Sequence, residues 1–235
     1  MKQKTIGVLG GMGPESTAEL LVWITRCTPA VREQDHLRVL IDSNPKIPNR
    51  TEALLAGELQ PVIDALVETA RHLERAGADV IGIPCNTAHA FLGDVKKAVA
   101  IPIVDMVDEA AIRARELFGE GSAIGLLATD GTLRTRLYHE ALDRHGLVGV
   151  GPPTAGIQNA VMDALDAVKL HGASEDAYLA LAIGVRDLVG QGVTALIAGC
   201  TEVSLVFRRH QPELPWLDPL QILAEKLVRE VTQSA

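Results

Sequence analysis

Two stretches decide how this chain is read: Ala76–Thr87, AGADVIGIPCNT, and Gln191–Glu202, QGVTALIAGCTE. Each runs through the end of a helix, a glycine, a buried strand, a small turn residue and a cysteine, in that order. Two further pairs keep nearly the same offset: IGVLGGMGP from Ile6 matches IGLLATDGT from Ile124, and IPIVD from Ile101 matches LPWLD from Leu214. Matches in one order argue for duplication of an ancestral unit. The simplest structure is α/β, with two similar lobes, each a mainly parallel sheet flanked by helices, and a cleft between them.

The intervening sequence supports that architecture. Short β-branched runs (TIGVLGG, LRVLIDS, ADVIGIP) alternate with segments of helical period at Glu15–Arg26 and Pro61–Arg75, the signature of a parallel sheet covered on both faces. In the second helix Val62, Leu66, Thr69, Leu73 and Ala76 share a face, and Gly77 is placed to end it in the left-handed conformation. No linker-like tract separates the lobes. The expected division is residues 1–100 plus 212–235 for the N-terminal lobe and 101–211 for the C-terminal lobe, with crossovers just before the two x-Pro strands.

Composition narrows the function classes. A formal charge of −8, with no Lys/Arg stripe to follow a phosphate backbone and only 3% aromatic residues to stack on bases, points away from nucleic acid. The apolar run near the N-terminus breaks at Gly10 and Gly11, too short for a signal peptide or a membrane span. A soluble, cytoplasmic protein with no membrane partner is expected. Three cysteines without C-x-x-C spacing indicate neither a disulfide framework nor a zinc site, and no metal is expected.

Cys85 and Cys200 each end a buried strand, where a doubly wound sheet opens onto its ligand crevice. Each is followed by residues that favour a helix start: Asn86 and Thr87, then Thr201 and Glu202. Unpaired amides there favour an anion, so both thiols are expected to ionise more readily than usual. A cysteine alone reads more simply as a small buried hydrophobe, and Cys27 is assigned to packing. Two at repeated positions suit another task. A carbon acid held between them could lose a proton to one sulfur and gain one from the other, which is racemisation or epimerisation. His89, one turn after Cys85, and Glu202 are further positions that could tune the thiols, His89 having backbone bonding as its simpler role.

Such chemistry also needs the substrate's carboxylate held and the developing charge stabilised. The glycines of GGMGPEST, Gly10–Thr17, let backbone amides approach an anion, although a tight turn explains them equally. A dinucleotide site would require glycine where Ser16 stands. Arg50 lies in the Pro/Asn-rich loop after LRVLIDS and could grip a carboxylate; an isolated loop arginine is otherwise merely solvated. Lys169, near a predicted helix end, carries still less weight by itself.

With GGMGP, NPKIPNRT, PCNTAH, ATDGT and GCTE all in order, the sequence resembles the aspartate racemases of the cofactor-independent aspartate/glutamate racemase family, over essentially its whole length. The resemblance implies a homodimer, no cofactor, and Cys85 and Cys200 as paired acid and base. It implies that Asn86, Thr87 and Thr201 orient the thiols and the α-carboxylate, and that Met12 and Gly13 line the pocket. Arg50 and Lys169 correspond to a cationic clamp for dicarboxylic substrates, and Thr129 to the AT-x-GT loop. Lys46 and Asn49 depart from the usual PQIPDR reading of the loop, and GCTE replaces the GCTH of glutamate racemases. The expected activity is interconversion of L- and D-aspartate, extending to glutamate or other amino acids. The rivals are a decarboxylase or cis-trans isomerase of the same superfamily and a non-catalytic two-lobed amino-acid binding protein.

Overall fold

Every ladder among the described residues, 3–233 of the computed structural model, is parallel. Strands β1 (Ile6–Gly10), β2 (Val39–Ser43) and β3 (Val80–Gly82) form one sheet in the order β2-β1-β3. Strands β4 (Ala123–Ala128), β5 (Val148–Val150), β6 (Ala195–Gly199) and β7 (Trp216–Leu217) form a second, in the order β5-β4-β6-β7. The chain divides into two compact units, the first running to Met106 and resuming at Leu220, the second covering Val107–Pro219. Both crossovers fall a few residues beyond the x-Pro segments. The α/β fold with two parallel sheets flanked by helices is thus the one the repeats imply.

The repeat is visible at the level of single hydrogen bonds. In the second unit Leu196 N–H bonds to Pro215 O at 2.9 Å and β7 pairs with β6. In the first, Ile81 N–H bonds to Pro102 O at the same 2.9 Å, and Val104 N–H returns to Ile81 O at 2.9 Å. There the pairing stops at a single Ile81–Ile103 bridge, so IPIVD forms no strand of its own.

Strand alternation sorts side chains into two layers. From β1, Ile6 and Val8 join Leu20 and Ile24 of the helix Pro14–Cys27 and Leu223 and Leu227 of the helix Pro219–Thr232, while Leu9 joins Val62 and Leu66 of the helix Gln60–Arg75. Cys27 packs at the edge of the first of these layers. Full burial of one such leucine is worth about 1.5–3 kcal/mol.

The helix Gln60–Arg75 ends on Gly77, whose φ of 95° is left-handed. Gly77 N–H bonds to Glu74 O and Ala78 N–H to Leu73 O, both at 3.0 Å, which satisfies carbonyls that the helix end would strand. Ala76 does not continue the apolar face: it lies exposed at the cap, Ala70 takes part in the buried stripe, and Ala78 resumes it after the turn. The helix Glu175–Gly190 closes in the same way on Gly192, with φ 81°. Among the described residues no helix is long and apolar enough to cross a membrane.

Candidate active site

Cys200 follows β6 directly and is the N-cap of the helix Thr201–Arg209. It is buried, with 7% of its surface exposed, and its Sγ donates to Glu202 Oε2 at 2.7 Å. The same oxygen accepts from Thr201 Oγ1 at 3.3 Å, and both Thr201 and Glu202 are buried. Here the expectation of an easily ionised thiol is overturned. Burial, then the charge and hydrogen bond of Glu202, push the Cys200 thiol well above its ordinary pKa, and the opposing pull of Lys169 is weaker. The helix terminus does act on the sulfur, through the Glu202 amide, but burial and the Glu202 carboxylate outweigh that amide and Lys169 together.

Lys169 lies in the last turn of the helix Ala155–His171 and donates to Asp166 at 2.8 Å. Burial draws its pKa down, but the hydrogen bond to Asp166 and the negative charges of its surroundings, Glu202 and Asp166 among them, outweigh it, so the ammonium is held more firmly than usual. Lys169 therefore belongs with Cys200 and Glu202 electrostatically. Thr129 follows β4 and caps the helix Asp130–Arg134 by accepting from Thr132 N–H at 3.3 Å. Beside it, Gln158 donates to Ala128 O at 3.0 Å and to Asp130 Oδ1 at 2.8 Å. Neither Gln158 nor Asp166 stands out in the sequence; the three-residue spacing of Asp166 and Lys169 on one helix was the available signal.

In the first unit Cys85 is buried in the same apolar cluster as Met12 and Ile47, which brings together the turn after β1, the cysteine and the loop that carries Arg50. Asn86 and Thr87 follow, both buried, and Thr87 opens a 3-10 helix, Thr87–Phe91, in place of an α-helix. His89 is buried and bonds at Nδ1 to Cys85 O at 2.8 Å, while Met106 N–H bonds to its Nε2 at 3.2 Å. A carbonyl can only accept and an amide only donate, so the ring is neutral with its proton on Nδ1. Burial, the leading cause, lowers its pKa in agreement. Its contacts are with backbone, and they reach Cys85 through the carbonyl, not the sulfur.

The glycines after β1 serve close packing. A Cβ on Gly10 would lie 2.3 Å from the Thr17 side chain and one on Gly11, where φ is 93°, 2.3 Å from the Asn44 backbone. Gly11 N–H bonds to Thr17 Oγ1 at 2.8 Å. Gly13, the N-cap of the helix Pro14–Cys27, has nothing within 4 Å of a notional Cβ. Arg50 is the first residue of the helix Arg50–Ala56; its Nη1 donates to Ile47 O at 3.2 Å and Pro48 O at 2.9 Å, bracing its own loop, and its Nε is buried without a hydrogen bond. Asn49 caps that helix, accepting from Thr51 and Glu52 amides. Lys46 N–H bonds to Asn44 Oδ1 at 3.0 Å, which closes the start of the loop. Among the described residues no three His, Cys, Asp or Glu side chains gather as a metal site would require.

Comparison with known proteins adds independent weight. The Bacillus subtilis protein described as broad specificity amino-acid racemase RacX is 26% identical over 227 residues, covering 95% of this chain and 96% of its own length. A glutamate racemase of Shewanella woodyi is 30% identical over 188 residues, 72% of this chain and 63% of the relative. In structure, the Picrophilus torridus aspartate racemase superposes with a TM-score of 0.81 at 28% identity, over 97% of this chain and 94% of the other. The profile of the family described as Asp/Glu/Hydantoin racemase matches residues 9–227, from the end of β1 into the last helix. By that span, and by the repeated strand ends it takes in, the chain belongs to the Asp/Glu/hydantoin racemase family and is an amino-acid racemase.

Proposed function

We propose that this racemase interconverts L- and D-aspartate by two-base proton transfer, with Cys85 and Cys200 as the acid and base and without a cofactor. One sulfur takes the α-proton as the other returns a proton to the opposite side of the carbanion, inverting the stereocentre. The observation that carries this reading is the pair of buried, unbridged cysteines after β3 and β6 at repeated positions, in a chain of this family. Asn86, Thr87, Thr129 and Thr201 orient the α-carboxylate, Met12 and Gly13 line the pocket, and Arg50 and Lys169 hold the second carboxylate. The likeness to an aspartate racemase over nearly the whole of both chains supports aspartate as the substrate. The likeness to a broad-specificity racemase over similar coverage supports a second reading, in which glutamate and neutral amino acids also turn over. A cytoplasmic homodimer belongs to the same proposal, and light scattering on the purified protein tests the dimer.

Incubation with L-aspartate in D2O, with no added cofactor, is expected to yield D-aspartate carrying deuterium at Cα. Exchange that is seen with neutral amino acids at comparable kcat/KM would select the broader reading. Binding without exchange, or release of CO2, would replace racemisation by a receptor or a decarboxylase.

A further inference from the structure

The two cysteines differ in what stands two residues further on: Thr87 after Cys85, Glu202 after Cys200. Glu202 occupies the second position of the helix Thr201–Arg209, 7% exposed, where a carboxylate is favoured by the helix dipole. Its Oε2 lies 2.7 Å from Cys200 Sγ. A carboxylate has no hydrogen to give, so the sulfur is the donor and carries the proton. A thiolate in that position would place two buried anions in contact, where like charges are poorly screened. The other charged group acting on Cys200 is Lys169, from the helix Ala155–His171, and its charge is shared with Asp166 at 2.8 Å.

We propose that Glu202 is a positioning residue that keeps the proton on Cys200, so that Cys200 enters the catalytic cycle as the donor and Cys85 as the acceptor. The inference rests on the two-base reading. The substrate Cα–H bond breaks heterolytically and its proton passes to the Cys85 thiolate, while the Cα electron pair takes the proton of Cys200. Product departure leaves Cys85 protonated and Cys200 as thiolate. Return to the starting form requires a proton from solvent at Cys200 and loss of one to solvent from Cys85, and Glu202 favours that return by opposing charge on Cys200. Because enantiomers have equal free energy, kcat/KM is the same in both directions; the bias shows in which sulfur is ionised in the free enzyme. The raised pKa of the Cys200 thiol agrees with this geometry.

The test uses a full-length protein in which Cys27→Ser and Cys85→Ser leave Cys200 as the sole thiol. Its rate of alkylation by iodoacetamide is compared with that of the same protein carrying Glu202→Gln. At a fixed, mildly alkaline pH the Gln form is expected to react on the order of tenfold faster, one pKa unit's worth of extra thiolate. Glu202→Asp, which keeps the charge, should lie closer to the parent. Equal rates in all three proteins, with native circular dichroism, would overturn the proposal, as would slower reaction in the Gln form. In the three-cysteine chain, Glu202→Gln should lower kcat with little change in KM and move the alkaline limb of the pH–rate profile to lower pH; an unmoved limb would also overturn it. Absence of racemisation in the unaltered protein would sink the two-base reading instead, while the alkylation rates would still report whether Glu202 holds the Cys200 proton.

Discussion

The two cysteine-bearing strand ends repeat one sequence pattern but present different chemistry. After β6 the chain enters an α-helix with a carboxylate in its first turn, and the thiol is pinned to that carboxylate. After β3 it enters a 3-10 helix with a hydroxyl at the same step, and the histidine four residues beyond the cysteine reaches back to the Cys85 carbonyl. The residue four beyond Cys200 is Ser204, which donates to Asp218 at 2.9 Å, and Arg208 grips the same carboxylate with Nε at 3.0 Å. Thus each helix that follows a cysteine also ties down a crossover segment, His89 by the Met106 amide and Ser204 by Asp218. The mechanical function of these positions is alike in the two units and the electrostatic one differs. A repeat predicts where groups stand better than it predicts their protonation.

The comparison can be broken most directly at the sulfurs. Cys85→Ser and Cys200→Ser are each expected to lower racemisation on the order of 10²–10⁴-fold, measured by polarimetry or by a D-amino-acid-specific assay. Substantial turnover in one variant but not the other would show that the strand ends are not partners in one reaction.

A smaller effect tests the shared helix endings. Gly77→Ala and Gly192→Ala both force a side chain into left-handed backbone and should each cost about 1–2 kcal/mol. The composition offers a convenient readout, since Trp23 packs in the first unit and Trp216 in the second. With Trp216→Phe or Trp23→Phe as background, urea unfolding followed by fluorescence reports each unit in turn. Loss confined to the unit that carries the substitution would mean that the units unfold separately; equal loss in both signals would mean one transition.

The smallest expected effect separates His89 from Ser204. Burial holds the folded-state pKa of His89 below its unfolded value of about 6.5. The unfolded chain therefore binds the extra proton first, and the stabilisation is complete above about pH 6.5 and erodes as pH falls through the folded value. Urea midpoints read through Trp23 should decline on acidification, and His89→Gln should flatten part of that decline, whereas Ser204→Ala should leave its slope unchanged. A slope that survives in His89→Gln would assign the acid sensitivity to other groups.

Much of this was legible before any coordinates. The glycine, apolar run and cysteine of the repeats gave parallel strands in equivalent sheet positions because backbone direction follows from local pattern and turn chemistry. The first x-Pro segment was harder: Ile103 makes a bridge and Trp216–Leu217 a strand through the same hydrogen bond, a difference of one further pairing that composition does not encode. The state of Cys200 was misread for a physical reason. A helix start acts on any anion near it, and from sequence alone Glu202 could have been a neighbour pointing elsewhere; instead its carboxylate accepts from the Cys200 thiol, and that contact with burial outweighs the helix amide. Likewise Arg50 reads as a free loop cation until its bonds to Ile47 and Pro48 carbonyls are seen.

The absence of a side chain at Gly11 reaches further than its own turn. Its Cα is pressed against the backbone of Asn44, whose amide is bonded to Gly10 O at 3.2 Å, so the bend after β1 and the start of the Arg50 loop behave as one piece of chain. Any change that reshapes that loop must carry the earlier bend along with it. The freedom of the arginine is set in part by a residue that never comes near it in sequence.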